Sequence, residues 1–223
     1  MEKASRLYDI VRLDHFRGID RYYAIPARSE TAENGEWQQG PGMRLFNEIK
    51  RRLGEINIIA EDLGILDSGV VRLLEATGFP GMKVLHFAFN GNENNPYLPA
   101  NIEENSVVYT GTHDNDTTLG FLNSLTDAEF KKLKTRLRAA LKGEGVVYPF
   151  VTREDTTLAL VICALASKAD LAIIPVQDVM NLDADARMNT PSTTEGNWQY
   201  RMNSFPSRKD LAILRKTVDK FNR

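Results

Sequence analysis

Three short apolar runs of this sequence each end on acidic residues. Ile10-Val-Arg-Leu13 runs into Asp14-His15, Ile58-Ile-Ala60 into Glu61-Asp62, and Val107-Val-Tyr-Thr-Gly-Thr112 into His113-Asp114. Carboxylates placed this way can share acid–base work. One attacks or stabilises an electron-poor carbon while a protonated partner serves the departing oxygen. Two of the three histidines in the chain, His15 and His113, adjoin these carboxylates. The third, His86, lies within an apolar run and reads as a satisfied core residue or one that backs a site. Taken singly, an acidic residue after a strand is often only the cap of the next helix or a turn residue. Three in equivalent positions favour a shared site over three separate caps.

Other chemistries fit less well. No HExxH, cysteine cluster or ligand pair at helical spacing marks a metal site, so no metal or other cofactor is expected. Cys163 falls in an apolar helical pattern and no G-x-S-x-G is present, which argues against a nucleophilic serine or cysteine. The glycine-rich phosphate loops are absent too. Glycoside chemistry suits paired carboxylates, with a third to hold sugar hydroxyls as an oxocarbenium-like transition state forms. Sugar rings also want flat apolar faces. Tyr22, Tyr23, Trp37, Phe87, Phe89 and Tyr97 are candidates for those faces or, equally, packing residues.

The elements that must position these groups alternate along the chain. Five β-branched-rich runs read as short buried strands: 9–14, 55–61, 81–87, 106–110 and 169–175. Between them lie helical stripes, Leu45/Phe46/Ile49/Leu53 and Val70/Val71/Leu73/Leu74. Thr126-Asp-Ala-Glu129 has the form of a capping box opening a helix with Phe130, Leu133, Leu137 and Leu141 inward and Gly143 as its stop. Thr152 is expected to cap the next helix, with Leu158, Val161, Ile162 and Leu165 inward. Ser207 precedes the last helix, with Leu211, Leu214, Val218 and Phe221 on its apolar face. Residues 20–42 and 183–207 read as long functional loops. Strand–helix alternation implies an α/β fold with a parallel sheet, and in a parallel barrel the C-terminal strand ends share the face that carries the active site.

Composition limits the partners. With 28 Lys+Arg against 30 Asp+Glu and a net charge of -2, neither nucleic acid nor an acidic membrane is an expected partner. No apolar run approaches the ~18 to 20 residues of a membrane helix. A lone cysteine in 223 residues excludes an internal disulfide framework and suits a reducing, cytoplasmic setting.

Four blocks carry a more specific resemblance: Arg12-Leu-Asp-His-Phe-Arg-Gly18, Ala60-Glu-Asp-Leu-Gly64, Gly81-Met-Lys-Val-Leu85 and Tyr109-Thr-Gly-Thr-His-Asp-Asn-Asp-Thr-Thr-Leu-Gly120. With Pro175-Val-Gln-Asp-Val179, Ala186-Arg-Met-Asn189 and Gly196-Asn-Trp198, they resemble the 4-α-glucanotransferases, or amylomaltases, of glycoside hydrolase family 77. The resemblance implies Asp14 as nucleophile, Glu61 as general acid/base and Asp114 as transition-state stabiliser. It implies Arg12 orienting Asp14, His113 and Asn189 contacting glucan, Phe87 near the acceptor side, and Asp62 among the substrate-binding residues. The implied partners are maltodextrin donor and acceptor.

The Phe89–Pro96 stretch departs from the family, with Asn90 and Gly91 where a relative carries Asp. The five runs match the fourth to eighth strands of a (β/α)8 TIM-type barrel, so residues 1–223 are expected to form the C-terminal part of one catalytic barrel. Met1 falls within the helix before the fourth strand, and the first three strands have no counterpart. Two further expectations stand beside transferase activity. One is a chain inactive without an N-terminal segment or self-association, because an open sheet leaves strand edges unpaired. The other is an α-glucan hydrolase of the same clan.

Overall fold

The computed structural model describes residues 1–64 and 66–223. The chain divides into two compact units, Met1–Met82 and Lys83–Arg223. In the first, α1 (Glu2–Leu7) leads into β1 (Ile10–Leu13), followed by α2 (Arg17–Asp20), β2 (Arg21–Ala24), β3 (Glu36–Gln39), α3 (Met43–Leu53), β4 (Asn57–Ala60) and α4 (Ser68–Thr77). Strand β5 (Gly81–Val84) spans the boundary. The second unit holds β6 (Ser106–Tyr109), α5 (Thr118–Ser124), α6 (Asp127–Gly143), α7 (Arg153–Ala166), β7 (Leu171–Ile173), α8 (Val176–Val179) and α9 (Arg208–Lys220).

Each of the five apolar runs contains a strand, and these lie in one sheet in the order β1-β4-β5-β6-β7. That order is the chain order, the progression expected of a barrel wall built from βα units. The pairs β1–β4, β4–β5 and β6–β7 are parallel. The inner strand β6 is buried throughout, whereas the outer strands β1 and β7 are only half-buried.

Residues 20–42 differ from the expected loop. They fold into an antiparallel hairpin in which Tyr23 pairs with Trp37 and Arg21 with Gln39. Its strands are polar and mostly exposed, so no apolar alternation marked them. What builds the hairpin is cross-strand contact: Tyr23 and Trp37 meet edge-on at 5.4 Å, and Tyr22 Oη donates to Gln38 Oε1 at 3.1 Å.

The first unit packs around Phe16, Phe46, Ala60, Val70 and Leu73. Phe46 is the hub, stacked on Phe16 at 5.8 Å and edge-on to Phe79 at 5.1 Å. Of the α4 stripe, Val71 lies on the exposed side. The second unit has the larger core, with Leu122, Phe130, Leu133, Leu137, Leu141, Phe150 and Leu160 among its members. Here the local signals hold: Thr126–Glu129 forms its reciprocal capping box, and helices start after Thr152 and Ser207, where Asp155 and Asp210 complete capping boxes that the sequence reading had not named. Helix α6 stops at Gly143, as expected. In α9, by contrast, Leu211 is exposed and Leu214, Val218 and Phe221 are only half-buried.

Candidate active site

Register places the first two carboxylates. Leu13 pairs with Ala60, so Asp14 and Glu61 are the next residues to leave two adjacent strands at the same edge. The backbone keeps them aligned: Glu61 N donates to Leu13 O at 2.9 Å and Phe16 N to Glu61 O at 3.0 Å. His15 sits in the left-handed region at φ 48°, and its N–H donates to Glu61 Oε2 at 2.7 Å. Leu63 N donates to the other oxygen, Oε1, at 3.0 Å. Glu61 therefore has both oxygens oriented by main-chain amides, a geometry that does not depend on side-chain rotamers elsewhere.

Asp14 is the open member, with a side chain 73% exposed. Arg12, two residues earlier on the same strand face, brings Nη2 to 2.8 Å from Asp14 Oδ1. Arg12 is itself steadied by Met82, whose Sδ lies 3.3 Å from its Nε. Asp62 turns inward instead. It is 4% exposed, and its Oδ1 accepts the Met82 amide at 2.6 Å. A Cβ on Gly81 would stand 2.5 Å from Asp62 Oδ2, which accounts for the glycine that opens β5.

In the second unit, β6 ends at Tyr109, and His113 and Asp114 stand on the loop that follows it, beyond the strand end itself. Asp114 Oδ1 accepts from Asn189 Nδ2 at 2.6 Å and lies 3.4 Å from His113 Nε2. Arg187, to which the sequence reading gave no role, holds both partners. Its Nη2 donates to Asp114 O and its Nε to Asn189 O, each at 2.8 Å. Trp198 was likewise unassigned. Its ring lies 5.2 Å from that of His113, and it is held at φ 63° with its N–H on Met188 O at 2.7 Å. Both sit in motif blocks quoted for the resemblance, which was the signal available for them. The long 183–207 stretch thus delivers Arg187, Asn189 and Trp198 to the Asp114 loop.

Phe87 is exposed and meets Tyr97 edge-on at 5.7 Å. A cavity of about 560 Å³ opens beside it, lined also by His86, Phe121, Lys132 and Arg136. His86 sits in a helical turn just past β5, not within the strand. It stacks on Phe121 at 4.4 Å, and burial pushes its imidazole down to about 3, so the ring is neutral. Of the six candidate stacking rings, Tyr22, Tyr23, Trp37 and Phe87 are exposed, while Phe89 is buried and Tyr97 packs on the core. Cys163 is fully buried in α7, and burial pushes its thiol up, away from nucleophilic use. Among the described residues, no three His, Cys, Asp or Glu side chains gather as a metal site requires, and no helix is long and apolar enough to cross a membrane.

The profile of the 4-α-glucanotransferase family matches residues 1–207. The 4-α-glucanotransferase of Streptococcus pneumoniae is 45% identical over 202 residues, covering 91% of this chain and 38% of that protein. The chloroplastic/amyloplastic 4-α-glucanotransferase of Arabidopsis thaliana is 44% identical over 211 residues, covering 95% of this chain and 35% of that protein. Among solved structures, the amylomaltase from Streptococcus agalactiae in complex with acarbose superposes with a TM-score of 0.88 at 35% identity, covering all of this chain and 43% of that one. The fold is therefore a partial α/β barrel, and the chain spans well under half the length of these relatives. With the profile match across most of its length and this level of identity, the chain belongs to the 4-α-glucanotransferase family, glycoside hydrolase family 77.

Proposed function

We propose that this chain carries the reacting carboxylates of a 4-α-glucanotransferase that moves α-1,4-glucan segments between maltodextrins with retention of configuration. The observation that carries this reading is Asp14 and Glu61 leaving register-matched neighbouring strands, one exposed and paired with Arg12, the other oriented by two amides. Asp14 attacks the anomeric carbon as the bond to the glycosidic oxygen breaks and Glu61 delivers its proton to that oxygen. A covalent glucosyl–Asp14 ester results. Glu61, now a carboxylate, takes the proton of an acceptor 4-hydroxyl, whose oxygen attacks the anomeric carbon and releases Asp14. Asp114 stabilises the oxocarbenium-like transition states, with His113 and Asn189 on sugar hydroxyls and Phe87 on the acceptor side. No cofactor enters this scheme. A cytoplasmic location goes with it, supported by the single, buried Cys163.

The test is incubation with maltotriose, following the product ladder. The chain spans 38% of the pneumococcal relative, so the 223-residue chain is assayed beside longer protein that contains it. Glucose together with longer maltodextrins is expected, and Asp14→Ala should abolish both. Products that only shorten would make the protein a hydrolase. Disproportionation that survives Asp14→Ala would overturn the nucleophile assignment.

A further inference from the structure

The Pro175–Val179 block belongs to the family resemblance, yet none of its residues enters the scheme above. One of them, Asp178 on α8, is 4% exposed and makes three hydrogen bonds. Its Oδ2 accepts from Thr110 Oγ1 at 2.5 Å and from Thr118 Oγ1 at 2.7 Å, and its Oδ1 accepts from Thr118 N at 2.8 Å. Thr110 is the first residue after β6 and Thr118 is the first of α5. One carboxylate therefore holds both ends of the connection that carries His113 and Asp114.

The connection is also braced from within and from the side. Asn115 Oδ1 accepts from Thr112 N at 2.8 Å and Thr112 Oγ1 at 2.9 Å. His86 Nε2 lies 3.0 Å from Thr118 Oγ1. The single proton of that hydroxyl is committed to Asp178, so the neutral imidazole must donate from Nε2, which fixes its tautomer. Burying a carboxylate is costly unless its hydrogen bonds are made. Burial pushes Asp178 up, while the bonds from Thr110 and Thr118 draw it back down. What this arrangement supplies that an apolar side chain would not is a set distance between the two ends of the loop.

We propose that Asp178 is a positioning residue for Asp114: by tying Thr110 to Thr118 it sets where the Asp114 carboxylate and the His113 imidazole stand. This rests on the function proposed above for Asp114. A misplacement of about 1 Å at a reacting group costs on the order of 100-fold in rate. In protein that disproportionates maltotriose, Asp178→Ala should lower kcat by about that factor, with KM little changed. Asp178→Asn should restore most of the lost kcat with an unaltered pH profile. Its amide can donate to both threonine hydroxyls and still accept the Thr118 N–H.

Hydrogen exchange of segment 110–118, which needs no activity, should speed up in Asp178→Ala and not in Asp178→Asn. If the wild-type protein shows no transfer, the exchange result still decides whether Asp178 holds the loop. If Asp178→Ala fails to fold, Thr110→Val removes one of the three bonds and should give a smaller loss of kcat and faster exchange in the same segment. A folded Asp178→Ala with wild-type kcat and exchange would overturn the proposal. So would an Asp178→Asn as impaired as the alanine variant, because that would assign the effect to charge.

Discussion

Replacing Arg12 with methionine keeps an unbranched, flexible stem and removes the charged guanidinium, and the two half-reactions of the proposed scheme should respond differently. Arg12 Nη2 stands 2.8 Å from Asp14 Oδ1. With charge centres about 4 Å apart, the attraction is about 1 kcal/mol in bulk water and about 4 kcal/mol at an effective dielectric constant near 20. Asp14 is 73% exposed, so the lower figure describes the free protein, and a bound glucan that displaces water moves the pair toward the upper one. In the scheme proposed above, Asp14 loses negative charge in the first half-reaction as it bonds to the sugar, so Arg12 would favour the starting state and contribute mainly by orientation. In the second, Asp14 would depart as a carboxylate, and Arg12 would stabilise the developing charge directly. At about 1.4 kcal/mol per factor of ten, Arg12→Met should slow that step by about 5-fold to about 1,000-fold, with the value set by how much charge has developed.

The assay is acid quenching during turnover of maltotriose, followed by intact-mass measurement. The variant should accumulate a glycosyl-enzyme that the parent does not, carrying the maltosyl unit left when glucose departs from maltotriose, and peptide mapping should place the adduct on Asp14. Arg12→Lys should recover part of the rate, since it restores the charge without the planar fork. Undiminished turnover in Arg12→Met, or slow turnover with no covalent species, would refute the reasoning.

Stability and reactivity follow from the same structure. Leu137 is fully buried in the larger core, so Leu137→Ala should cost about 3 to 5 kcal/mol in chemical denaturation. The Glu129 carboxyl is held below its ordinary 4.5 by hydrogen bonds from the Thr126 side chain and backbone. Its contribution is therefore present above the ordinary carboxylate range and lost as pH falls through the lowered value, and Glu129→Gln should flatten the acid side of the stability–pH curve. Cys163 is buried and its thiol pushed up, so Ellman's reagent should find no reactive thiol in the native protein and one after denaturation.

Much of this was legible beforehand because it is local. A strand advertises itself by a β-branched run and a helix start by its cap, which is why all five sheet strands, the Thr126–Glu129 capping box and the helix starts after Thr152 and Ser207 stand where the sequence puts them. The hairpin at residues 21–39 carries no such mark, since its strands are largely polar or aromatic and only cross-strand pairing, such as Tyr23 with Trp37 and Arg21 with Gln39, defines it. Val71 and Leu211 read as inward by spacing but are exposed, because periodicity defines a face and the packed neighbours decide how wide the buried part of it is.

By itself, the sequence determined the α/β character, the family, and which acidic residues stand near the strand ends, since each is written in a contiguous stretch of chain. Only the tertiary structure decided that Leu13 faces Ala60 and so sets Asp14 and Glu61 on one edge, that Asp62 turns inward to Met82, and that Arg187 and Asn189 reach back to Asp114. It also decided that Asp178 closes the loop between Thr110 and Thr118. Each of these depends on register or on a partner many residues away. The free energy that selects such contacts comes from packing and from satisfying buried polar groups, and no local pattern encodes it.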